Sequence, residues 1–294
     1  MIGLCTDSNS QLSADLIARF DVEVVPLTII VDGVEFAEGE DLDADGFYAR
    51  FVGEHTPTVS TSQPSPGRIA LAYRALAARG ADQILSIHVG SALSGTLNSA
   101  RIAAETSPVP VRLVDTGTAS FGISCCLWAA AEAIERGATI DDAALVAESL
   151  VPHIGNVFVV RALDLVRAGG RSGASVERAA SEAAEAAAAA DAAVVPILTL
   201  RDGKVEVVAM AANVDDAVVA MSAMIVDAGT DLRVAVGVAD AAARPLSDAL
   251  TRAVRSVANV VDCVTYRVGP SIGAHTGPGT AGAFFFTAPS RAPR

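Results

Sequence analysis

The stretch Gln83-Ile84-Leu85-Ser86-Ile87-His88-Val89-Gly90-Ser91-Ala92-Leu93-Ser94-Gly95-Thr96 decides the fold. An apolar run from Gln83 to Val89 ends in a glycine- and serine-rich turn and passes into a helical stretch from Thr96 to Thr106. That order predicts a buried strand feeding a crossover helix. Moving outward, the alternation repeats. Ile2 to Cys5 is a short apolar run that ends in the polar turn Thr6-Asp7-Ser8 before the helical Leu12 to Phe20. Val111 to Val114 reads as another strand and Cys125 to Arg136 as another helix. Strand and helix in alternation imply a parallel sheet with helices on both faces, a three-layer α/β arrangement. Val22 to Val31 is a β-branched run broken by Pro26, and Asp32-Gly33 predicts a hairpin to Val34-Glu35-Phe36.

After Pro152 the pattern changes. Strands are expected at Val157 to Val160, Val194 to Leu200, Val205 to Met210, Arg233 to Ala239, Val260 to Val264 and Ala283 to Thr287. Helices are expected at Asp215 to Ala228 and Pro245 to Val257, with an alanine-rich one at Ala179 to Ala192. The Asp202-Gly203 turn predicts an antiparallel hairpin, so the second sheet is mixed. The expectation is two domains, residues 1–152 and 153–294.

Composition supports a large core and narrows the partners. Hydrophobic residues are 51% and charged residues 19% of 294, which excludes global disorder. The net charge of -13 repels phosphate backbones and anionic bilayers, arguing against nucleic acid and peripheral membrane partners. Met1 to Cys5 is too short for a signal peptide. The most membrane-like stretch, Ala183 to Leu200, is interrupted by Glu185, Asp191 and Pro196, so no stable membrane insertion is expected. A cytoplasmic protein follows, with Cys5, Cys125, Cys126 and Cys263 as reduced thiols. His55, His88, His153 and His275 are scattered without metal-ligand spacing, so no metal site is expected.

Gly90 to Thr96 has P-loop glycine spacing, but Thr96 stands where the phosphate-binding lysine belongs. Gly277-Pro278-Gly279-Thr280-Ala281-Gly282 spells a dinucleotide fingerprint, yet leads into the strand-like Phe284-Phe285-Phe286 instead of a helix. Neither supports a nucleotide. What survives is an anion site at the start of the Thr96 helix, built from backbone N–H groups and the hydroxyls of Ser91, Ser94 and Thr96. Without a lysine, a carboxylate fits it better than a triphosphate. The same groups serve as an ordinary N-cap, and this sequence alone leaves both readings open. Ser60 to Gly67 is a second hydroxyl-rich loop, read as a proline-stiffened turn before the helix Arg68 to Ala78. In the third, Gly273 to Gly279, His275 stands among glycines too small to pack it, which points to a functional role.

In chain order, Thr61-Ser62-Gln63-Pro64-Ser65, Leu93-Ser94-Gly95-Thr96, Gly169-Gly170-Arg171 and His275-Thr276-Gly277-Pro278-Gly279 resemble the DegV family. Thr6-Asp7-Ser8, Val25-Pro26-Leu27 and Pro196-Ile197-Leu198 extend the resemblance over the whole length. The resemblance implies a non-enzymatic lipid-binding protein with no cofactor, holding one long-chain fatty acid in a tunnel of the C-terminal domain. The carboxylate would sit at the domain junction. Thr61, Ser94 and His275 would contact it, Ser62 and Gly95 lie close, and Arg171 and Thr276 form a second layer or face a partner. That partner would be the ATP-binding subunit of a fatty acid kinase. Two departures stand out: Met210-Ala211-Ala212-Asn213 lacks an arginine usual there, and the helix after Arg171 is alanine-rich where leucine is usual. Two alternatives come from other classes. One is a serine hydrolase using Ser94, His275 and Asp115 or Asp7, although Ser94 has no G-x-S-x-G elbow. The other is a regulatory protein without lipid.

Overall fold

A computed structural model describes residues 1–51, 56–161 and 195–287. The chain forms two compact units. Met1–Ile154 and Gly269–Ser271 make up the first; Gly155–Val268 and the chain from Ile272 onward make up the second.

In the first unit the strands are β1 (Ile2–Asp7), β2 (Val22–Val25), β3 (Thr28–Val31), β4 (Val34–Ala37), β5 (Val59–Ser62), β6 (Gln83–His88) and β7 (Val111–Asp115). Four of them form a parallel sheet in the order β2-β1-β6-β7. Successive side chains leave opposite faces, and both faces are apolar. Leu4, Leu85, Ile87 and Val114 pack on the helices Phe121–Glu135 and Ile140–Leu150 through Ile123, Leu127, Ala144 and Ala147. Cys5, Val25 and Ile84 pack on Pro66–Ala78 and Thr96–Ala104 through Ile69, Tyr73, Leu76 and Ala100. The predicted three-layer arrangement is therefore present. Burial pushes the thiols of Cys5 and Cys126 up to about 12, so neither is a thiolate at neutral pH.

Pro26 splits the apolar run as expected, because proline cannot donate to a ladder. Asp32 and Gly33, both at positive φ (49° and 81°), close the β3–β4 hairpin. These strands do not join the parallel sheet. With β5 they form a separate antiparallel sheet, β4-β3-β5. The first part of the expected hydroxyl-rich loop is thus a strand. Only its end is a turn, where the Ser65 hydroxyl accepts the Arg68 N–H at 3.2 Å and Pro66 opens the helix.

The second unit contains β8 (Gly155–Val159), β9 (Val195–Arg201), β10 (Lys204–Ala211), β11 (Leu232–Val238), β12 (Val260–Arg267) and β13 (Ala281–Thr287). Their order is β10-β9-β8-β13-β11-β12. Only β11 and β12 run parallel, so the sheet is mixed. Asp202 and Gly203, at φ 49° and 73°, make the predicted turn between β9 and β10. One face packs Ile197, Val234, Val236 and Phe285 on Met221, Ile225, Leu250 and Val254 of the helices Val214–Val226 and Arg244–Arg255. The other presents Phe158, Leu198, Ala235, Phe284 and Tyr266, as register requires. Tyr266 lies across Gly237 and Phe158 across Gly282, where any Cβ would collide with them. Both outer strands carry a bulge: Val208 is the extra residue in β10 and Val261 in β12. The expected helix Ala179 to Ala192 lies outside the described residues. Among the described residues, no helix is long and apolar enough to cross a membrane.

Candidate functional site

The first candidate element is the turn between β6 and the helix Thr96–Ala104. Gly90 is required there because a Cβ would meet the Gly117 and Thr118 backbone within 2.7–2.9 Å. The Ser94 hydroxyl accepts the Thr96 N–H at 3.2 Å and lies 2.9 Å from the Thr96 hydroxyl. Ser94 and Gly95 are half-buried, whereas Thr96 is buried. Gly95 caps the helix without a side chain, so apart from the Thr96 N–H held by Ser94 the amides of its first turn are left to the surroundings. Partial exposure of N–H and O–H donors at a helix start suits a small anion.

Ser91 does not join this group. Its N–H and hydroxyl both donate to the Asp115 carboxylate, at 3.0 and 2.5 Å. Burial raises the Asp115 carboxyl, but the bonds from Ser91 and Gly117 and the charge of Arg101 outweigh it and leave it below its ordinary value. The expected Ser91 contribution to an anion site is therefore corrected: an ionised Asp115 already claims its donors.

Thr61 and Ser62 sit at the end of β5, opposite Ile29 and Thr28 of β3. Thr61 is half-buried and Ser62 exposed. Immediately after them, the Gln63 carboxamide lies over Gly95 so closely that a Cβ there would clash with it. The structure thus brings the Ser62-Gln63 and Ser94-Gly95 segments together. Gln63 is a residue of this site whose importance the sequence did not reveal; its signal is Gly95, which leaves it room.

His275 and Thr276 belong to the second unit. The expected glycine-rich loop around them is in part a helix, Pro270–Thr276. It stops at Gly277, whose φ of 72° and N–H bond to Gly273 O (2.7 Å) form a left-handed terminus. His275 is half-buried. The Thr276 hydroxyl donates to Ile272 O at 3.2 Å, and its carbonyl accepts from Thr280 Oγ1 at 3.2 Å. Arg171 lies outside the described residues.

A further polar chain runs through the first unit. Asp7 Oδ2 accepts from His88 Nδ1 at 2.9 Å and from Val89 N–H at 3.1 Å, while Oδ1 accepts from Asn9 N–H at 3.1 Å. His88 Nε2 lies 2.7 Å from Ser86 Oγ, and Ser86 Oγ 2.9 Å from Tyr73 OH. A neutral imidazole protonated on Nδ1 satisfies every one of these contacts. Asp7, Ser86, His88 and Tyr73 are all sealed from solvent. Asp7 and Asp115, the acids a Ser94 hydrolase would require, are thus bonded to His88 and Ser91. Among the described residues no group of three or more His, Cys, Asp or Glu is placed to hold a metal ion.

Comparisons with known proteins agree on one family. The model of the family termed "Uncharacterised protein, DegV family" matches residues 1–288. A DegV domain-containing protein of Streptomyces coelicolor is 35% identical over 282 residues, 96% of each chain. A fatty-acid-binding DegV family protein from Thermus thermophilus superposes with a TM-score of 0.82 at 31% identity, covering 97% of this chain and 99% of its own. DegV from Bacillus subtilis, a fatty acid binding protein, gives a TM-score of 0.80 at 23% identity over 97% and 99% of the two chains; at that identity the likeness speaks for the fold alone. Matched along nearly its whole length by family model, relative and fold, the chain belongs to the DegV family.

Proposed function

We propose that this protein binds one long-chain fatty acid and presents its carboxylate to an ATP-binding kinase subunit. In this reading Thr61, Ser94 and His275 contact the carboxylate, Ser62 and Gly95 lie close to it, and Arg171 and Thr276 stand behind or face the partner. The observation that carries it is the half-buried Ser94-Gly95 turn at a helix start, abutting Ser62-Gln63. A carboxylate removed from water needs several donors, and neutral hydroxyls and amides supply them without the tight grip of an arginine fork. The fatty acid bound by the Thermus thermophilus relative supports the same ligand class. The aromatic face of the six-stranded sheet, bearing Phe158, Leu198 and Phe284, suits an acyl tail, worth roughly 0.8 kcal/mol per buried CH₂. The chain alone would then neither hydrolyse esters nor turn over ATP.

Mass spectrometry of the organic extract of the natively purified protein tests this. One equivalent of long-chain fatty acid is expected. An extract without fatty acid, together with no oleic acid binding by the delipidated chain, would refute the reading. So would a complex with Ser94 and His275 more than ~10 Å apart, beyond reach of one head group.

A further inference from the structure

The polar cluster around Glu38 has no part in the site above. Glu38 is 6% exposed, and an unsatisfied carboxylate at such a depth is strongly unfavourable. It is well supplied. Its carboxylate accepts from the Ser8 hydroxyl at 2.5 Å, from Ser271 N–H at 2.7 Å and more distantly from Gln11 Nε2 at 3.5 Å. Gln11 accepts the Gly269 N–H on Oε1, and its Nε2 donates to Ser8 O at 2.9 Å and Ser271 Oγ at 3.2 Å. Asn9 Nδ2 donates to Ser271 Oγ at 3.3 Å, and Asn9 Oδ1 accepts Ser120 N–H at 3.1 Å. Gly269 has no alternative, because a Cβ would meet the Gln11 and Glu38 oxygens at 2.7 and 2.8 Å.

Four of these bonds, from or to Glu38, Gln11 and Asn9, end on Gly269 and Ser271, where the helix Pro270–Thr276 begins. Ser271 and His275 are four apart, so they share one face of that helix a single turn from each other. A tilt of the first turn is passed directly to the imidazole. The cluster itself is braced: the Asn9 N–H bonds to Asp7, the Ser8 hydroxyl also accepts Leu27 N–H at 2.9 Å, and Gln11 adopts a left-handed φ of 55°. Burial pushes the Glu38 carboxyl up, with the bonds from Ser271, Ser8 and Gln11 drawing it partly back.

We infer that Glu38 is a positioning residue: with Gln11 and Asn9 it clamps the first turn of the helix Pro270–Thr276 and so fixes where His275 meets the ligand carboxylate. The inference rests on the proposed role of His275. Its test uses the full chain, delipidated, with oleic acid and oleyl alcohol titrated calorimetrically into wild type, Glu38→Ala, Glu38→Gln, His275→Ala and each Glu38 variant combined with His275→Ala. Glu38→Ala should weaken oleic acid binding about tenfold when His275 is present and less than about twofold when it is absent, the coupling usual within one network. Oleyl alcohol should be little affected. Glu38→Gln, whose amide oxygen still accepts Ser271 N–H, should recover most of the affinity. If Glu38→Ala does not fold, Gln11→Gly carries the test: it keeps the left-handed backbone at position 11 but removes the acceptor of Gly269 N–H. It should weaken oleic acid binding only when His275 is present, and shift the His275 ring resonances in the NMR spectrum while leaving those of His153 in place. Equal losses with and without His275, equal losses for acid and alcohol, or an unmoved His275 resonance would overturn the clamp. If His275→Ala alone leaves oleic acid affinity unchanged, the reading of the site fails instead, and the clamp with it.

Discussion

On either side of Val89 the chain builds two serine-containing polar clusters from the same kinds of group. Before it, Tyr73, Ser86, His88 and Asp7 form a sealed chain in which donors meet acceptors. After it, Ser94 and Gly95 stand half-exposed at a helix start, with a single hydroxyl supporting a single amide. The sealed chain has no way to admit a ligand, so its groups fix β1 and β6 together. The turn can exchange its contacts for those of an incoming anion at little cost. Residue type does not distinguish architecture from site here. Closure does.

The sharpest way to break this comparison is His88→Ala. It leaves the buried Asp7 carboxylate one donor short, which should cost about 3 kcal/mol of stability. The urea unfolding midpoint measures this, while oleic acid affinity of the folded fraction should be unchanged. A loss below about 1 kcal/mol, the size of an ordinary substitution, would mean that the sealed chain is not structural.

Ser94→Ala sits on the other side. Oleic acid binding should weaken by about 1–3 kcal/mol, the usual result of depriving a charged acceptor of its donor. Stability should fall by only about 0.5–1 kcal/mol through loss of the Thr96 cap, since Ser91 is held by Asp115 and cannot replace it. Both proteins must be delipidated before melting, because bound ligand raises apparent stability. Unchanged affinity would reduce Ser94 to a helix cap.

The smallest effect is expected from Tyr73→Phe. Ser86 keeps its bond to His88, so only one hydrogen bond is lost, worth about 1 kcal/mol. Thermal melting should register it and calorimetry of oleic acid should not. A change in ligand affinity would show that the two clusters communicate across Val89.

What the sequence revealed follows from the range over which each cause acts. Asp32-Gly33 and Asp202-Gly203 announced their hairpins because a left-handed turn is a local demand. The strand–turn–helix around Gly90 was legible for the same reason. Val59–Ser62 was not, since its hydroxyls carry no strand signal and its partner Thr28–Val31 lies far back in the chain. The helix containing His275 was hidden by Gly273, a weak helix former that packing overrides. The Glu38 cluster was invisible because Ser271 joins it from 233 residues away. Of the proposed carboxylate contacts, Ser94 could be read from its place at a helix start and His275 singled out by its glycine neighbours, whereas Thr61 and the carboxylate role of His275 came from the order of family motifs.

The two bulges of the six-stranded sheet bear on how the molecule lives among its own copies. Val208 and Val261, the extra residues, are 42% and 55% exposed, and an apolar outer strand is an invitation to pair edge to edge. In both strands the extra valine interrupts the even spacing of backbone N–H and C=O groups and sharpens the local twist. A strand arriving from another molecule would find its ladder out of step after a few bonds. The sheet therefore guards both margins against fibre-like growth by geometry, without placing a charge at either extra residue.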